Sequence, residues 1–205
     1  MNKAVPKQFL PLGNMPVIMH TVQQFFPFCK NIIISLPEDY HSLWTDLQRK
    51  YHFSVPHTLV AGGETRFDSV KKALNCVAAE GLVAVHDAVR PFVSQKLIAK
   101  CFDEAEKYGN AVAALPVTES LRMVDEDTNK QVDRSLFYRI QTPQVFRCCE
   151  IKEAYNQDYQ SIFTDDATVL ETYGGHIHLV AGEEQNFKIT TPLDLLLAEN
   201  LIGNH

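Results

Sequence analysis

Short apolar runs alternate along this chain with longer stretches whose apolar residues recur every three or four positions. No other feature constrains its fold as tightly. Asn31 to Leu36 is a run of isoleucines stopped by Pro37, as suits a strand buried on both faces. His57 to Ala61, Leu82 to His86, Ala111 to Leu115 and His176 to Val180 read as further short strands. Helical patterns lie between them. Val17, Ile18, Thr21, Val22, Phe25 and Phe26 share one helical face after a turn at Leu12-Gly13-Asn14. Pro37-Glu38-Asp39 opens a helix to about Lys50, with acids where the helix dipole is positive. Asp68-Ser69 leads a helix to Ala79, and Ser94 caps one from Gln95 to Tyr108 that Gly109 ends. Later helices are expected over about 150–156, 165–173 and 192–201.

Strand–helix–strand alternation predicts an α/β, Rossmann-like architecture: a mostly parallel sheet flanked by helices. The 205 residues suit a single domain, against a typical size of ~150. One stretch breaks the alternation. Residues 116–144 carry two short extended arms around the polar turn Asp125 to Lys130, which predicts a protruding β-hairpin arm. It has too few apolar residues to fold alone, so it either lies on its own sheet or reaches a neighbouring subunit.

Composition narrows the function classes. The net charge of −6 disfavours a general nucleic-acid or anionic-membrane binder, because neither offers a counter-charge to an acidic surface. No apolar run approaches the ~20 residues that cross a bilayer. Cys29, Cys76, Cys101, Cys148 and Cys149 show no C-x-x-C spacing and no signal peptide precedes them, so reduced thiols in a cytoplasmic protein are expected.

Open parallel sheets bind ligands beyond the carboxyl ends of their strands. The segments to examine are therefore Ala61 to Arg66, His86 to Pro91 and Gly182 to Lys188. Gly62-Gly63-Glu64-Thr65-Arg66-Phe67-Asp68-Ser69 is a glycine turn entering a helix. It reads either as a cradle for a flat ligand or as a tight turn capped at Asp68 or Ser69, and it fits neither the Walker pattern nor the dinucleotide fingerprint. His86-Asp87-Ala88-Val89-Arg90-Pro91 places an acid and a base three apart, able to hold a metal and an anion, or to pair with each other across a turn. His86 alone is no metal site. Lys7, between Pro6 and Phe9, is a constrained ammonium suited to a phosphate. Thr164-Asp165-Asp166-Ala167 reads first as a helix N-cap and second as a further metal carboxylate. Lys188 precedes a helix opened by Pro192 and Asp194.

The order of these segments carries more than any one of them. Pro6-Lys7-Gln8-Phe9-Leu10, Pro16 to Thr21, Gly62-Gly63-x-x-Arg66-x-x-Ser69-Val70 and Val85 to Pro91 come first. Gln141-Thr142-Pro143-Gln144-Val145-Phe146, Phe163 to Ala167 and Asn186 to Pro192 follow. Over almost the whole chain this series resembles the 2-C-methyl-D-erythritol 4-phosphate cytidylyltransferases of the non-mevalonate isoprenoid route.

The resemblance implies an enzyme that uses CTP, Mg²⁺ and a sugar-alcohol phosphate to form a CDP-alcohol and pyrophosphate. By motif, Lys7 matches the lysine that grips the triphosphate, and Lys188 the one beside the α-phosphate. Asp87 matches the acid that holds Mg²⁺. Gly63, Glu64 and Ser69 match the loop that receives the cytosine edge, and Arg90 resembles a substrate-side contact. Ser120 and Arg134 match arm positions that hold methylerythritol phosphate, and the family's arm crosses to a partner, which implies a homodimer. A ribitol-5-phosphate cytidylyltransferase would share the same motifs.

Two departures accompany the match. The family's Asp-Thr in the arm is Glu119-Ser120 here, which keeps the hydroxyl. The family also opens with a strand and a loop of the form A-x-G-x-G-x-R-M shortly before Pro-Lys-Gln. Met1-Asn2-Lys3-Ala4 falls where that loop's methionine would stand, so the sequence is expected to begin at an internal methionine. Were the loop truly absent, a non-catalytic nucleotide-binding protein would be the alternative.

Overall fold

The computed structural model describes residues 5–203. The expectation about the opening loop rests on Met1 to Ala4 and lies outside the described residues. After Lys7–Phe9, one turn of 3-10 helix, a small hairpin pairs β1 (Pro11–Leu12) with β2 (Met15–Pro16). Gly13 makes its turn at φ +60°, the left-handed region where a side chain is strained. Helix α1 (Val17–Phe25) buries Val17, Ile18, Met19, Val22 and Phe25.

Strand β3 (Ile33–Leu36) pairs in parallel with β4 (Thr58–Ala61). The stretch after Pro37 is not one helix. A 3-10 turn at Glu38–Tyr40 precedes α2 (His41–Lys50), whose buried Trp44 sets the packing face. Helix α3 (Arg66–Leu74) begins before Asp68. Its N-cap is Thr65, and Asp68 closes a capping box: the Thr65 hydroxyl accepts from the Asp68 amide, and the Asp68 carboxylate accepts from the Thr65 amide. The acid is the reciprocal partner three residues on, not the cap itself.

Strand β5 (Leu82–Val85) is followed by α4 (Gln95–Tyr108), capped by Ser94 and ended by Gly109 at φ +90°. Next come β6 (Asn110–Pro116), the exposed hairpin β7 (Arg122–Asp125) and β8 (Thr128–Gln131), and the ten-residue β9 (Tyr138–Arg147). Helices α5 (Cys148–Ala154) and α6 (Asp166–Thr172), strand β10 (Leu179–Ala181) and helix α7 (Pro192–Ile202) complete the chain.

The largest sheet has the order β10-β6-β9-β5. It is mixed: β10 lies parallel to β6, whereas β9 lies antiparallel to both β6 and β5. The mostly parallel expectation fails at β9. The chain leaves β6, forms the arm and returns directly, with no crossover helix to reverse it, so the returning strand must run the opposite way. β5, β6 and β10 therefore point in one direction, with β9 inserted against them.

Helices cover both faces of this sheet, a mixed α/β fold. Alternation along the strands sorts the side chains. Val112 and Phe146 join Phe67, Ile151, Tyr155 and Leu170 on one face. Ala111, Ala113 and Val145 join Phe25, Leu97, Ile98 and Cys101 on the other. Each large aliphatic or aromatic side chain so buried contributes roughly 1.5–3 kcal/mol. Ile98 and Phe146 are fully buried, so truncating either to alanine costs on the order of 3 kcal/mol or more.

Five cysteines are free thiols, with Cys101 and Cys148 buried. Burial pushes Cys101 up to about 12. Among the described residues, no helix is long and apolar enough to cross a membrane.

Candidate active site

The site forms where β5 gives out. Leu82 to Val85 is held in the sheet by β9, and the next residues, His86 and Asp87, turn out of it. The β9 strand meets them from the opposite direction. Its register against β6 slips between the pairs Val112–Gln144 and Ala114–Ile140, and this irregularity spans Gln141, Thr142 and Pro143. A slip of this kind re-aims side chains. The hydroxyl of Thr142 accepts from the Asp87 amide at 3.1 Å. Gln141 reaches the other way, donating to Glu183 O at 2.9 Å and accepting from the Asn186 amide at 3.3 Å. Buried Asn186 also donates to Thr142 O at 2.8 Å. These bonds fix the segment after β10 against the segment after β5.

Two cations converge on one oxygen of Asp87. Lys188 Nζ lies 3.1 Å from Oδ2, and Arg90 Nε donates to the same atom at 3.2 Å. Arg90, nearly buried, also donates to Asn186 O at 2.8 Å. Burial works to raise the Asp87 pKa, but Lys188, Arg66 and Arg90 outweigh it and hold the carboxyl below its ordinary range. The group is an anion at neutral pH, and its Oδ1 carries neither of these pairs. Lys7 donates to Thr190 O, two residues beyond Lys188. Capped helix α7 braces that stretch, because Asp194 accepts from the Thr190 and Thr191 amides.

His86 does not take part. Its Nε2 faces Arg90 O at 3.1 Å and carries the hydrogen, since a carbonyl only accepts. Its ring packs 4.7 Å from Phe25, and burial pushes its pKa down to about 4. It is a neutral packing residue.

The cleft above Asp87 holds about 330 Å³, lined among others by Arg66, Asp87, Arg90, Thr142, Asp165 and Lys188. Arg66 at the start of α3 and Thr164, Asp165 and Thr168 at the start of α6 complete the lining, and the glycine turn lies next to Arg66, just before α3. Gly63 donates to Ser69 Oγ at 3.0 Å, and Ser69 Oγ donates to Thr65 O at 2.9 Å. A Cβ at Gly63 would lie 2.1 Å from Asp68 Cβ, so only glycine fits. Glu64 is exposed on the same turn. Asp165 is the N-cap of α6, accepting from the Thr168 amide at 2.9 Å, and Gln144 donates to its other oxygen at 2.8 Å. Asp166 binds Arg66 instead. The Thr164 to Ala167 segment is thus a cap and an ion pair.

Ser120 and Arg134 do not join this cluster. Both lie exposed in the arm, where Arg134 donates to Thr118 O. The structure thus unites Asp87, Arg90 and Lys188, draws Lys7 to the segment after Lys188, sets Gly63 in the turn before α3 and Ser69 in the first turn of that helix, and leaves the arm pair apart.

Arg66, Thr142, Gln144 and Asn186 have no role that the sequence alone assigns. Gln141-Thr142-Pro143-Gln144 is visible as a motif, but its use depends on β9 running antiparallel. That direction places the start of β9 at the carboxyl end of β5.

Among the described residues, no three histidine, cysteine or acidic side chains cluster as a metal cage. A single carboxylate with one oxygen open does suit Mg²⁺, which keeps waters and takes substrate phosphates as its other ligands.

Comparison with known proteins gives a consistent result. The family model for IspD, 2-C-methyl-D-erythritol 4-phosphate cytidylyltransferase, matches residues 1–204. A protein of that name from Porphyromonas gingivalis is 50% identical over 198 residues, covering 96% of this chain and 89% of the relative. One from Phocaeicola vulgatus is 46% identical over 97% of this chain and 91% of its own length. The crystal structure of the Thermus thermophilus protein of the same name superposes with a TM-score of 0.81 at 32% identity, covering 96% of this chain and 93% of that one.

Proposed function

The chain belongs to the 2-C-methyl-D-erythritol 4-phosphate cytidylyltransferase family, and from that membership we propose how its cleft performs the reaction. The enzyme is a nucleotidyltransferase of isoprenoid precursor synthesis. It joins CTP to 2-C-methyl-D-erythritol 4-phosphate, giving 4-diphosphocytidyl-2-C-methyl-D-erythritol and pyrophosphate. The named relatives act on methylerythritol phosphate, which favours that alcohol over ribitol phosphate.

Chemistry sets the demands on the site. A substrate phosphate has its second pKa near ~6 and is already a nucleophilic anion at neutral pH. It needs no general base. One of its oxygens attacks the α-phosphorus of CTP, a new P–O bond forms, and the bond to the β-phosphate oxygen breaks in line as pyrophosphate leaves. The obstacle is repulsion between anions, so catalysis is neutralisation and positioning.

In our reading, Lys188 stands beside the α-phosphate, where charge grows in the transition state, and Lys7 grips the triphosphate. Asp87 would hold Mg²⁺ through its open oxygen, and the bound ion would supply positive charge over the phosphates. Arg90 locks the Asp87 carboxylate in place and borders the substrate. Gly63, Glu64 and Ser69 receive the cytosine edge, in a turn too tight for a purine. Ser120 and Arg134 hold the alcohol phosphate of a partner's cleft, across a homodimer. Support for the last point comes from their exposure, their absence from the lining of their own cleft, and the apolar surface of the arm around Met123, Val124, Leu136 and Phe137.

We read residues 1–205 as a single nucleotidyltransferase domain with 116–144 as its arm. The common direction of β5, β6 and β10 supports a Rossmann-like sheet with β9 inserted. Free thiols support a cytoplasmic location.

The observation that carries the mechanism is the meeting of Lys188 and Arg90 on one Asp87 oxygen. Incubating the protein with CTP, Mg²⁺ and either methylerythritol or ribitol phosphate tests the reading. Pyrophosphate release with the first alone is expected. No release with either would support the non-catalytic alternative, and release with ribitol phosphate alone would reverse the choice of alcohol.

A further inference from the structure

A buried polar cluster beside the cleft has no part in the mechanism above. Asp166 has no exposed surface. Its two oxygens take both terminal nitrogens of Arg66, at 3.0 and 2.5 Å, and Oδ1 also accepts from the Tyr155 hydroxyl at 2.6 Å. A buried carboxylate is tolerable only when paired and hydrogen-bonded in this way. Burial and the nearby Asp166 charge keep the Tyr155 phenol protonated, hence a donor. The Tyr155 ring also stacks on Phe67 at 4.7 Å.

Arg66 is the first residue of α3, directly after the glycine turn. The other side-chain bonds of that turn reach no further than the α3 helix that follows it: Gly63 to Ser69, Thr65 to Asp68, Lys72 to Gly62 O. Arg66 differs, because it crosses 100 residues of sequence to Asp166. Asp166 sits one residue past Asp165, which Gln144 of β9 holds. Gln144 also accepts from the Ala167 amide at 2.8 Å. A chain of short bonds thus runs from the turn through Arg66, the start of α6 and Gln144 to the strand beneath Asp87.

We propose that the Asp166–Tyr155 pair is a positioning device: by gripping Arg66 it holds the turn that receives the pyrimidine at a set distance from the Asp87–Lys188 cluster. This rests on the assignment of that turn to the nucleotide. The guanidinium is fitted to the task because its planar fork engages both carboxylate oxygens at once, which a lysine cannot do.

The test compares Arg66→Lys, Tyr155→Phe and Gly63→Ala in the full-length protein, by steady-state kinetics and by the rise in melting temperature that CTP produces. Arg66→Lys should raise KM for CTP about tenfold and leave KM for the alcohol phosphate within about twofold. Tyr155→Phe keeps the ring stack and loses one bond, so KM for CTP should rise about threefold with kcat nearly unchanged. CTP protection against melting should weaken in the same order. A fall in melting temperature with KM for CTP unchanged would reduce the cluster to scaffolding and overturn the proposal, as would a rise in both KM values together. Gly63→Ala separates this failure from that of the premise. If it leaves CTP protection intact, the turn is not the nucleotide site and the proposal falls with it. If it abolishes protection while Arg66→Lys changes nothing, the turn keeps its role and the clamp alone is wrong.

Discussion

The cleft and the arm are held together in different ways. In the cleft, the Asp87 amide, its carboxylate, the Arg90 guanidinium and the Asn186 side chain are all engaged with one another or with Thr142 and Lys188. Apart from the Asn186 side-chain oxygen, which is buried without a partner, and the open Asp87 oxygen, these groups are bonded before any substrate arrives. In the arm, β7 and β8 are exposed along their whole length. Arg134 bonds only locally, and apolar side chains such as Val124 and Leu136 stand open to solvent. The cleft residues are cross-braced within this chain; the arm leaves both faces of its ribbon open to solvent. Substitutions should therefore act differently in the two places.

The largest effect is expected at Lys188. If Lys188 stands where charge builds up in the transition state, replacing it with alanine should lower turnover by about 10² to 10³-fold. The Lys188 side chain is 43% exposed, so solvent already screens its pair with Asp87, and the melting temperature should move by no more than about 2 °C. Turnover near that of the parent protein would show that the cluster at Asp87 is not where the phosphates meet.

Arg134→Ala tests the other side of the comparison. The arginine is exposed and its loss should not change stability. If the arm clamps the alcohol phosphate, KM for that substrate should rise about tenfold or more, as when a charge-assisted hydrogen bond is lost, while KM for CTP stays put. A parallel rise in both would mean that the arm acts on the whole fold. Mixing Arg134→Ala protein with Lys188→Ala protein sharpens the contrast. In a dimer with shared sites, one hybrid cleft escapes both lesions and activity returns above that of either variant. Without sharing it does not.

The two regions also differ in how far the sequence alone reveals them. Helix α4 is legible to the residue, because Ser94 and Gly109 mark its ends by local chemistry. The arm is legible as a hairpin for a similar reason, a polar turn between extended runs. Lys7, Asp87 and Lys188 lie far apart in the sequence, and only the order of motifs groups them; in the structure Asp87 and Lys188 pair, while Lys7 reaches Thr190 O two residues beyond Lys188. Thr142, Gln144 and Arg66 escape assignment. Their roles depend on a strand direction and on a contact across 100 residues, and neither leaves a local signature. The start of α3 departs from expectation for a smaller reason: Asp68 is a good capping residue, but Thr65 three positions earlier makes it the second half of a box.

Thr142→Val probes what was not legible. Valine keeps the shape and loses the hydroxyl, so the Asp87 amide loses its acceptor. An unpaired amide in this part-buried place costs about 1–2 kcal/mol. Turnover should drop about fivefold as the carboxylate loosens, less than for Lys188, because both cations still reach Asp87. An unchanged denaturation midpoint together with unchanged turnover would show the bond to be incidental.

The smallest effect lies at the border of the cleft, where bracing is done without full burial. Asp194 is only part-buried, yet it accepts from the Thr190 and Thr191 amides and the Thr190 hydroxyl. Those amide bonds, taken first, outweigh slight desolvation and hold its pKa at about 2. The folded pKa lies below the unfolded value of ~3.9, so the cap stabilises fully above about pH 4 and loses its contribution as pH falls toward 2. Asp194→Ala should cost about 1 kcal/mol at pH 7, the usual worth of a capping side chain, and progressively less in acid. Chemical denaturation of both proteins across that range checks the sign, and a gap that widens on acidification would contradict it. Turnover should fall by less than about threefold, because Thr190 O still receives Lys7 from a turn that is looser but intact. An effect as large as that of Thr142→Val would mean that the exposed rim needs its local bonds as much as the buried floor does, and would erase the distinction between a prebuilt cleft and its surroundings.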